Sequence, residues 1–477
     1  MKNSDQINTW IQQHKFDNAR AALLNSVRTA PRDAASWELL SQLMAQMDIG
    51  ATARHCFVRF ALLQPLKGGS LQEQPAVLHA LSDQVDDEVE DCLLVPKKSV
   101  GVAMIVKNAS RTIVRSLTAL LPAVDQIVIV DTGSTDDTVA MVRSLNIDVR
   151  QYEWKDDFAD SRNHALSFLK TDWALSIDSD EILDQEDIDS VRTVVGLFDD
   201  LPGSFALQLF QMNQIGDMVS PRLETRMFPT ERGIRWFRPI HEQLVTYTGE
   251  KIPAYPVRIR VFHDGYDPRV VDTKQKYRRN VIILTRHIEQ VPNDAVSHAF
   301  LGREHLLLDH PDEAIKHLQT AKELFAKDAS LPKEALLEVE RNLVLAYEKM
   351  GNYELSLHLA EQMTTAFPKS VDAWYLSGYY HLRDASISLQ SAISDLQHAM
   401  ALAHQGQHMA DPTVGQFKAL LHLADATRLS GDWIEARKLY EQVLAQIPDF
   451  SEVLAILQKM EQQAQAYITE RKSIREK

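Results

Sequence analysis

The segment SIDSDE, residues 176–181, closes an apolar run and sets three carboxylates, Asp178, Asp180 and Glu181, within four positions. Like charges this close repel one another, so the fold needs a cation or a ligand to keep them together. Asp-x-Asp at a strand end suits a divalent metal, because hard cations prefer carboxylate oxygens and ask little ligand geometry of the chain. A metal there can hold a substrate diphosphate and offset charge on a leaving group. The competing reading is that Asp180 or Glu181 caps a following helix, where acidic residues are favoured in any case.

VDTGSTDDT, residues 130–138, offers a second polar turn. Gly133 allows a tight bend, and Ser134, Thr135 and Asp136 can cap a helix, so this turn requires no ligand. Asp131, at a strand tip, can also accept hydrogen bonds from a nucleobase or ribose. The absence of G-x-G-x-x-G argues against a dinucleotide-binding fold. WKDDFADSRNHAL, residues 154–166, carries Asp157, Arg162 and Asn163. Arginine's rigid fork of donors suits diphosphate oxygens. An ion pair with Asp157 or Asp160 would occupy the same fork. RPIHEQL and VFHDGY supply His241, Glu242 and His263. A histidine can be a further metal ligand and a neighbouring carboxylate a general base, although an isolated histidine is commonly structural.

Elements must bring these residues together. VAMIV, QIVIVD, IDVRQY and WALSID are short apolar strands between residues 102 and 178, separated by helical stretches. That alternation predicts a mostly parallel sheet with helices on both faces, whose ligands bind beyond the carboxyl ends of the strands. Before this block, FDNARAALLNSVRTAPRDAASWELLSQLMAQ is helical by period, and Pro31 and Pro65 stand 34 residues apart, the spacing of the tetratricopeptide repeat. LKGGSLQEQ interrupts that pattern, and the acidic run DDEVED reads as a solvated linker. After it, HPDEAIKHLQTA, GNYELSLHLAEQM and GDWIEARKLYEQVLAQIP are variants of one phrase, opened by Gly351 and Gly431 and closed by Pro368 and Pro448 in two cases. About four such repeats are expected, stacked as a solenoid that either holds a peptide or braces its neighbour.

The 477 residues carry a net charge of −15, which disfavours nucleic acid and anionic membranes as general partners. Two cysteines, Cys56 and Cys92, make neither a disulfide framework nor a zinc cluster. The N-terminal residues lack the apolar core of a signal peptide, and no apolar stretch approaches the ~20 residues of a membrane helix. A soluble, cytoplasmic protein without an integral membrane segment is expected.

Residues 101–280 resemble the family 2 glycosyltransferases of the GT-A fold. The similarity runs through MIVKNAS, VDQIVIVDTGSTDDT, DDFADSRNHAL, WALSIDSDE, RPIHEQL, HDGY and KQKYRRN, in the family's order. It is strongest toward the bacterial subgroup that joins this domain to tetratricopeptide repeats and includes peptide S-glycosyltransferases. That subgroup often has an acidic residue after KN, where this chain has Ala109 and Ser110. The resemblance implies an α/β nucleotide-diphospho-sugar transferase domain over 99–280. All-α repeat segments would flank it at 1–66 and 281–470, with a linker at 67–98.

The resemblance also implies roles. Val106, Asn108 and Asp131 would border the nucleotide base, and Asp157 and Arg162 would lie on the donor side. Asp178 would lie near the ribose, while Asp180 with His263 would hold Mn²⁺ or Mg²⁺ and the diphosphate. Glu242, with His241 beside it, would act on the acceptor as the base. The expected reaction is inverting transfer of a sugar from a nucleotide-diphosphate donor, UDP first among candidates, to a protein or peptide held by the repeats. Alternatives are a saccharide acceptor in surface polysaccharide assembly, or a repeat scaffold that has lost catalysis. A homodimer is open.

Overall fold

The computed structural model describes residues 4–67, 70–71, 73–215, 218–263, 273–328, 331, 333–383, 389–407 and 409–475. The chain divides into two compact units, Met1–Thr273 and Lys274–Lys477.

The first unit begins with helices α1 (Ser4–Gln12), α2 (Phe16–Thr29), α3 (Ala34–Gln46) and α4 (Gly50–Leu63). Their apolar faces bury Leu23, Trp37, Leu40, Met44 and Cys56 in one core. Trp37 sits wholly inside, and its indole Nε1 donates to the carbonyl of Pro31 at 2.8 Å. The acidic run DDEVED is not a solvated linker. Asp86 caps helix α5 (Asp87–Leu93) by accepting from Val89 N. Arg20 reaches Asp86 at 2.6 Å and Glu88 at 2.9 Å, so the run is drawn onto α2 by opposite charge.

An eight-stranded sheet follows. Its strands are β1 (Val100–Val106), β2 (Gln126–Asp131), β3 (Val149–Gln151), β4 (Trp173–Leu175), β5 (Glu181–Leu183), β6 (Ala206–Ile215), β7 (Met218–Pro229) and β10 (Ala254–His263), with β8 (Ile234–Phe237) and β9 (Gln243–Thr246) forming a separate hairpin. The spatial order is β3-β2-β1-β4-β7-β6-β10-β5. The four predicted strands are present and parallel. Beyond β4 the sheet turns mixed: β7 runs antiparallel to β4 and β6, and β5 antiparallel to β10.

All seven residues of β1 are buried. Val102, Met104 and Val106 face one side with α6 (Ile113–Leu120) and α9 (Ile188–Phe198), whose Ile113, Leu117, Val191 and Val195 share their core. Ala103 and Ile105 face the other, against α8 (Phe158–Leu166) through Ala165. Helices on both faces are what make a parallel strand read as unbroken apolar sequence. Leu62 at the end of α4 joins the first of these cores. A short helix α7 (Thr138–Ser144) completes the β2–β3 connection.

The second unit is helical in its described residues. It comprises α10 (Thr273–Gln290), α11 (Ala295–Leu307), α12 (Pro311–Lys327), α13 (Lys333–Lys349), α14 (Tyr353–Ala366), α15 (Val371–Arg383), α16 (Leu389–His404), α17 (Ala419–Leu429), α18 (Trp433–Gln446) and α19 (Ser451–Arg475). Helices α11 to α18 pair as four hairpins, each packed on the next. Gly351 and Gly431 adopt φ of 75° and 95° in the turns that join the helices of two of them, and Asn352 and Asp432 then cap α14 and α18. Trp374 Nε1 donates to Pro368 O at 3.0 Å, the same six-residue bond that Trp37 makes to Pro31. The two helical segments thus repeat one local device.

Candidate active site

Strands β2 and β4 lie on either side of β1, so the chain reverses its direction of winding between β1 and β4. Open α/β sheets bind ligands outside the carboxyl ends of strands at such a switch point. The register pairs Val106 with Asp131 and Val102 with Leu175, which brings Asp131 and the residues after Leu175 to one edge.

Two arginines answer the repulsion within SIDSDE. Arg162, on α8, donates through Nη2 to Asp178 Oδ1 at 2.7 Å and through Nη1 to Ser176 Oγ at 3.1 Å. Its Nε donates to Glu242 Oε1 at 2.6 Å, and its guanidinium lies 5.4 Å from the Trp236 ring centre. Arg226, on β7, donates to Asp178 Oδ2 at 3.3 Å and to Glu181 Oε1 at 2.7 Å. Burial works against charge on Asp178, yet Arg162 and Arg226 hold its carboxyl well below the usual range. Glu181 is fully buried, and that burial pushes its carboxyl up against the pull of Arg226. Neither Asp180 nor Glu181 caps a helix, because a strand follows. Glu181 opens β5, receives the Asp178 N–H at 2.8 Å and takes the amide of Gln211 from β6. It locks the turn from beneath.

The loop after β1 and the turn after β2 are tied together. Asp131 is 1% exposed, and its carboxylate accepts from the N–H groups of Gly133 and Ser134. Asn108 takes a left-handed φ of 53°, its amide donates to Ser134 Oγ at 2.9 Å and its Oδ1 accepts from Thr135 N at 2.8 Å. Val106 is buried at the end of β1. Asp157 caps α8 by accepting from Asp160 N, and so sets where Arg162 emerges; burial pushes its own carboxyl up. Helix α8 is pinned to the segment that carries Glu242: Phe158 N donates to Pro239 O, and Asn163 exchanges two hydrogen bonds with the Trp236 backbone. His241 stands in that turn with φ of 52°.

Asp180 and His263 meet although 83 residues separate them. His263 Nε2 lies 3.4 Å from Asp180 Oδ2. Burial would lower the imidazole's pKa, but Asp180 more than reverses this and holds it above the ordinary value. Two donors sharing one divalent ion at ~2.1 Å each stand about 3.0–3.4 Å apart when adjacent in the coordination shell. Four carboxyl groups (Asp178, Asp180, Glu181 and Glu242) stand against two guanidiniums here, and Asp180 Oδ2 with His263 Nε2 are an oxygen and a nitrogen donor at that separation. The donor set therefore fits a divalent cation. Among the described residues no three His, Cys, Asp or Glu are grouped as a complete metal cage. Asp180 and His263 would be the protein's share of the shell, with phosphate oxygens and water supplying the rest. Of VFHDGY, His263 is described and residues 264–266 lie outside the described set.

Sequence reading missed Arg226, Gln211 and Asn213. The signal was available in FQMNQI, where polar side chains alternate onto a face that is buried: Gln211 and Asn213 are 6% and 5% exposed. Arg226 had no comparable mark. A cavity of about 510 Å³ lies at the other end of the strands, lined by Lys170, Asp172, Thr230, Arg235 and Tyr247, away from these groups. No helix among the described residues is long and apolar enough to cross a membrane.

Residues 101–267 match the family described as glycosyl transferase family 2, and residues 341–388 match a tetratricopeptide repeat. The SPbeta prophage-derived glycosyltransferase SunS of Bacillus subtilis is 25% identical over 337 residues, covering 68% of this chain and 76% of SunS. A TPR repeat-containing protein of Synechococcus elongatus is 28% identical over 212 residues, 43% of this chain and 51% of that one. Among solved structures, residues 1–349 of TarS from S. aureus align with 56% of this chain and 91% of that chain, at 14% identity and a TM-score of 0.32.

Proposed function

We propose, on the premise that the chain carries a family 2 glycosyl transferase domain joined to tetratricopeptide repeats, that it transfers a sugar from a nucleotide-diphosphate donor to a protein or peptide with inversion at the anomeric carbon. The observation that carries this reading is the meeting of Asp178, Asp180, His263, Arg162 and Glu242 at the carboxyl edge of the parallel strands.

Val106, Asn108 and Asp131 line the base side of the crevice, where the tied loops keep a fixed wall. Asp178, held by two arginines, presents a rigid acceptor on the ribose side. Asp180 and His263 would hold Mn²⁺ or Mg²⁺, which when bound would offset charge on the leaving diphosphate. Arg162 and Asp157 keep the donor side in place, the latter by capping α8. Glu242 gives one oxygen, Oε1, to Arg162, and the other would take the acceptor's proton. The acceptor atom attacks the anomeric carbon from the face opposite the diphosphate, the bond to the diphosphate oxygen breaks with its electron pair, and the acceptor's proton passes to Glu242. A base of this kind contributes about 10²–10⁴-fold. His241, next in the chain, shapes the same turn. With a thiol acceptor the base matters less, since thiols ionise nearer neutral pH. The repeats favour a peptide acceptor, because stacked helical hairpins offer extended binding surfaces.

Calorimetric titration with UDP, GDP and CMP, each with and without Mn²⁺, tests the reading. Metal-dependent binding of one nucleotide, lost in Asp180→Ala, is expected. Absence of binding under every condition would favour the scaffold alternative.

A further inference from the structure

Glu181, His263, Asn213 and Ser220 stand in one row across β5, β10, β6 and β7. Neighbours in such a row have Cβ atoms about 4.5–5.5 Å apart, so polar side chains on one face must deal with each other. Asn213 and His263 are buried, 5% and 7% exposed, and neither can turn to water for a partner.

The two ends of the Asn213 amide are distinguished by what they face. Nδ2 lies 3.4 Å from both Gln211 O and Ser220 O. Carbonyl oxygens only accept, which makes this end the NH₂ group. Oδ1 is then the atom 2.7 Å from His263 Nδ1. An acceptor at that distance requires Nδ1 to carry a proton, and Nε2 of the same ring is the nitrogen turned to Asp180.

We infer that Asn213 is the positioning residue of the His263 ring: by accepting from Nδ1–H it reserves the Nε2 lone pair for the cation that Asp180 shares. This rests on the reading of Asp180 and His263 as the metal's protein ligands. An imidazole whose outer nitrogen is held by an acceptor is fixed in both tautomer and ring orientation, and loss of such a partner typically weakens metal binding 10–100-fold. The row also explains the pairing of residues so distant in sequence. The parallel register of β6 and β10 sets Asn213 beside His263, and the antiparallel register of β5 and β10 sets Glu181 on the ring's other flank.

Two measurements on the full chain test the inference separately from the function it serves. In calorimetric titration with Mn²⁺ alone, Asn213→Leu is expected to bind about 10–100-fold more weakly than the parent, while Asn213→Asp, which keeps an acceptor, stays near it. Parent affinity in Asn213→Leu would overturn the inference. The second measurement needs no metal. Long-range ¹⁵N–¹H spectra of Asp180→Ala, recorded above the titration of the imidazole, are expected to show His263 as the Nδ1–H tautomer. Adding Asn213→Leu should convert it to Nε2–H, and adding Asn213→Asp should not. An Nε2–H ring in Asp180→Ala itself would overturn the inference, even if Mn²⁺ binds. If the parent takes no Mn²⁺ even with UDP present, the metal reading falls, and the tautomer spectra still decide whether Asn213 sets the ring.

Discussion

Arg226 bridges Asp178 and Glu181 with its side chain 9% exposed and that of Glu181 at 0%. Its Nε has no hydrogen-bond partner among the described residues, so its hold on the site comes through Nη2. Removing one member of a buried ion pair leaves the other's charge without compensation, at a cost of about 3–5 kcal/mol. Arg226→Met is therefore expected to lower the stability of the first unit by that amount in urea unfolding, and Arg226→Met with Glu181→Gln to recover part of it. A loss below about 1 kcal/mol would mean water already screens the pair. The carboxylate half of this network could be read from the sequence, because SIDSDE gathers its charges within a few residues. The cationic half was legible only in Arg162, singled out for its fork of donors; Arg226 is brought in by β7, and no local spacing links it to Asp178.

At the scale of elements, what burial does to sequence decides what can be read. The strands β1, β2 and β4 are largely buried and were visible as apolar runs. Strand β6 carries Gln208, Gln211 and Asn213 among its apolar residues, and Gln211 and Asn213 point into the site. The polarity that hid the strand is the polarity that equips it. The helical hairpins show the opposite case, where a small residue marks contact. Gly302 on α11 and Gly378 on α15 face Leu318 and Leu396 of their partner helices, and a Cβ on Gly302 would stand 2.5 Å from Leu318 Cγ and 3.1 Å from Ala314 O. Gly302→Ala gains roughly 1 kcal/mol of helix propensity, while forcing a methyl group into a packed core costs about 1–3 kcal/mol. The expected net is a loss of up to about 2 kcal/mol, read as faster amide exchange in α11 and α12. Slower exchange in those helices would show that the hairpin yields freely.

At the scale of the whole molecule, the change of period from helical to alternating and back marks residues 1–66, 99–280 and 281–470 as different in kind, whereas the chain divides into two compact units, Met1–Thr273 and Lys274–Lys477. The mixed half of the sheet escaped that reading, because pairing such as β6 with β10 joins strands whose Cα partners, Asn213 and His263, are 50 residues apart. The constellation assembled by those long-range pairings lies wholly within the unit Met1–Thr273, while four hairpins occupy the other. A donor nucleotide and an acceptor peptide should therefore leave different footprints. Hydrogen exchange on the full chain with UDP and Mn²⁺ is expected to protect residues 106–108, 131–135 and 176–181, because ligand binding suppresses local opening of the segments it touches. No added protection is expected in α13 to α17. Protection confined to those helices would remove the nucleotide from the strand ends and, with it, the role assigned to Asp178 and Asp180. A peptide acceptor added to the nucleotide-bound protein should instead extend protection into the hairpins. Extension only to residues 236–246, around Glu242, would mean that the transferase domain alone recognises the acceptor and that the repeats serve another purpose.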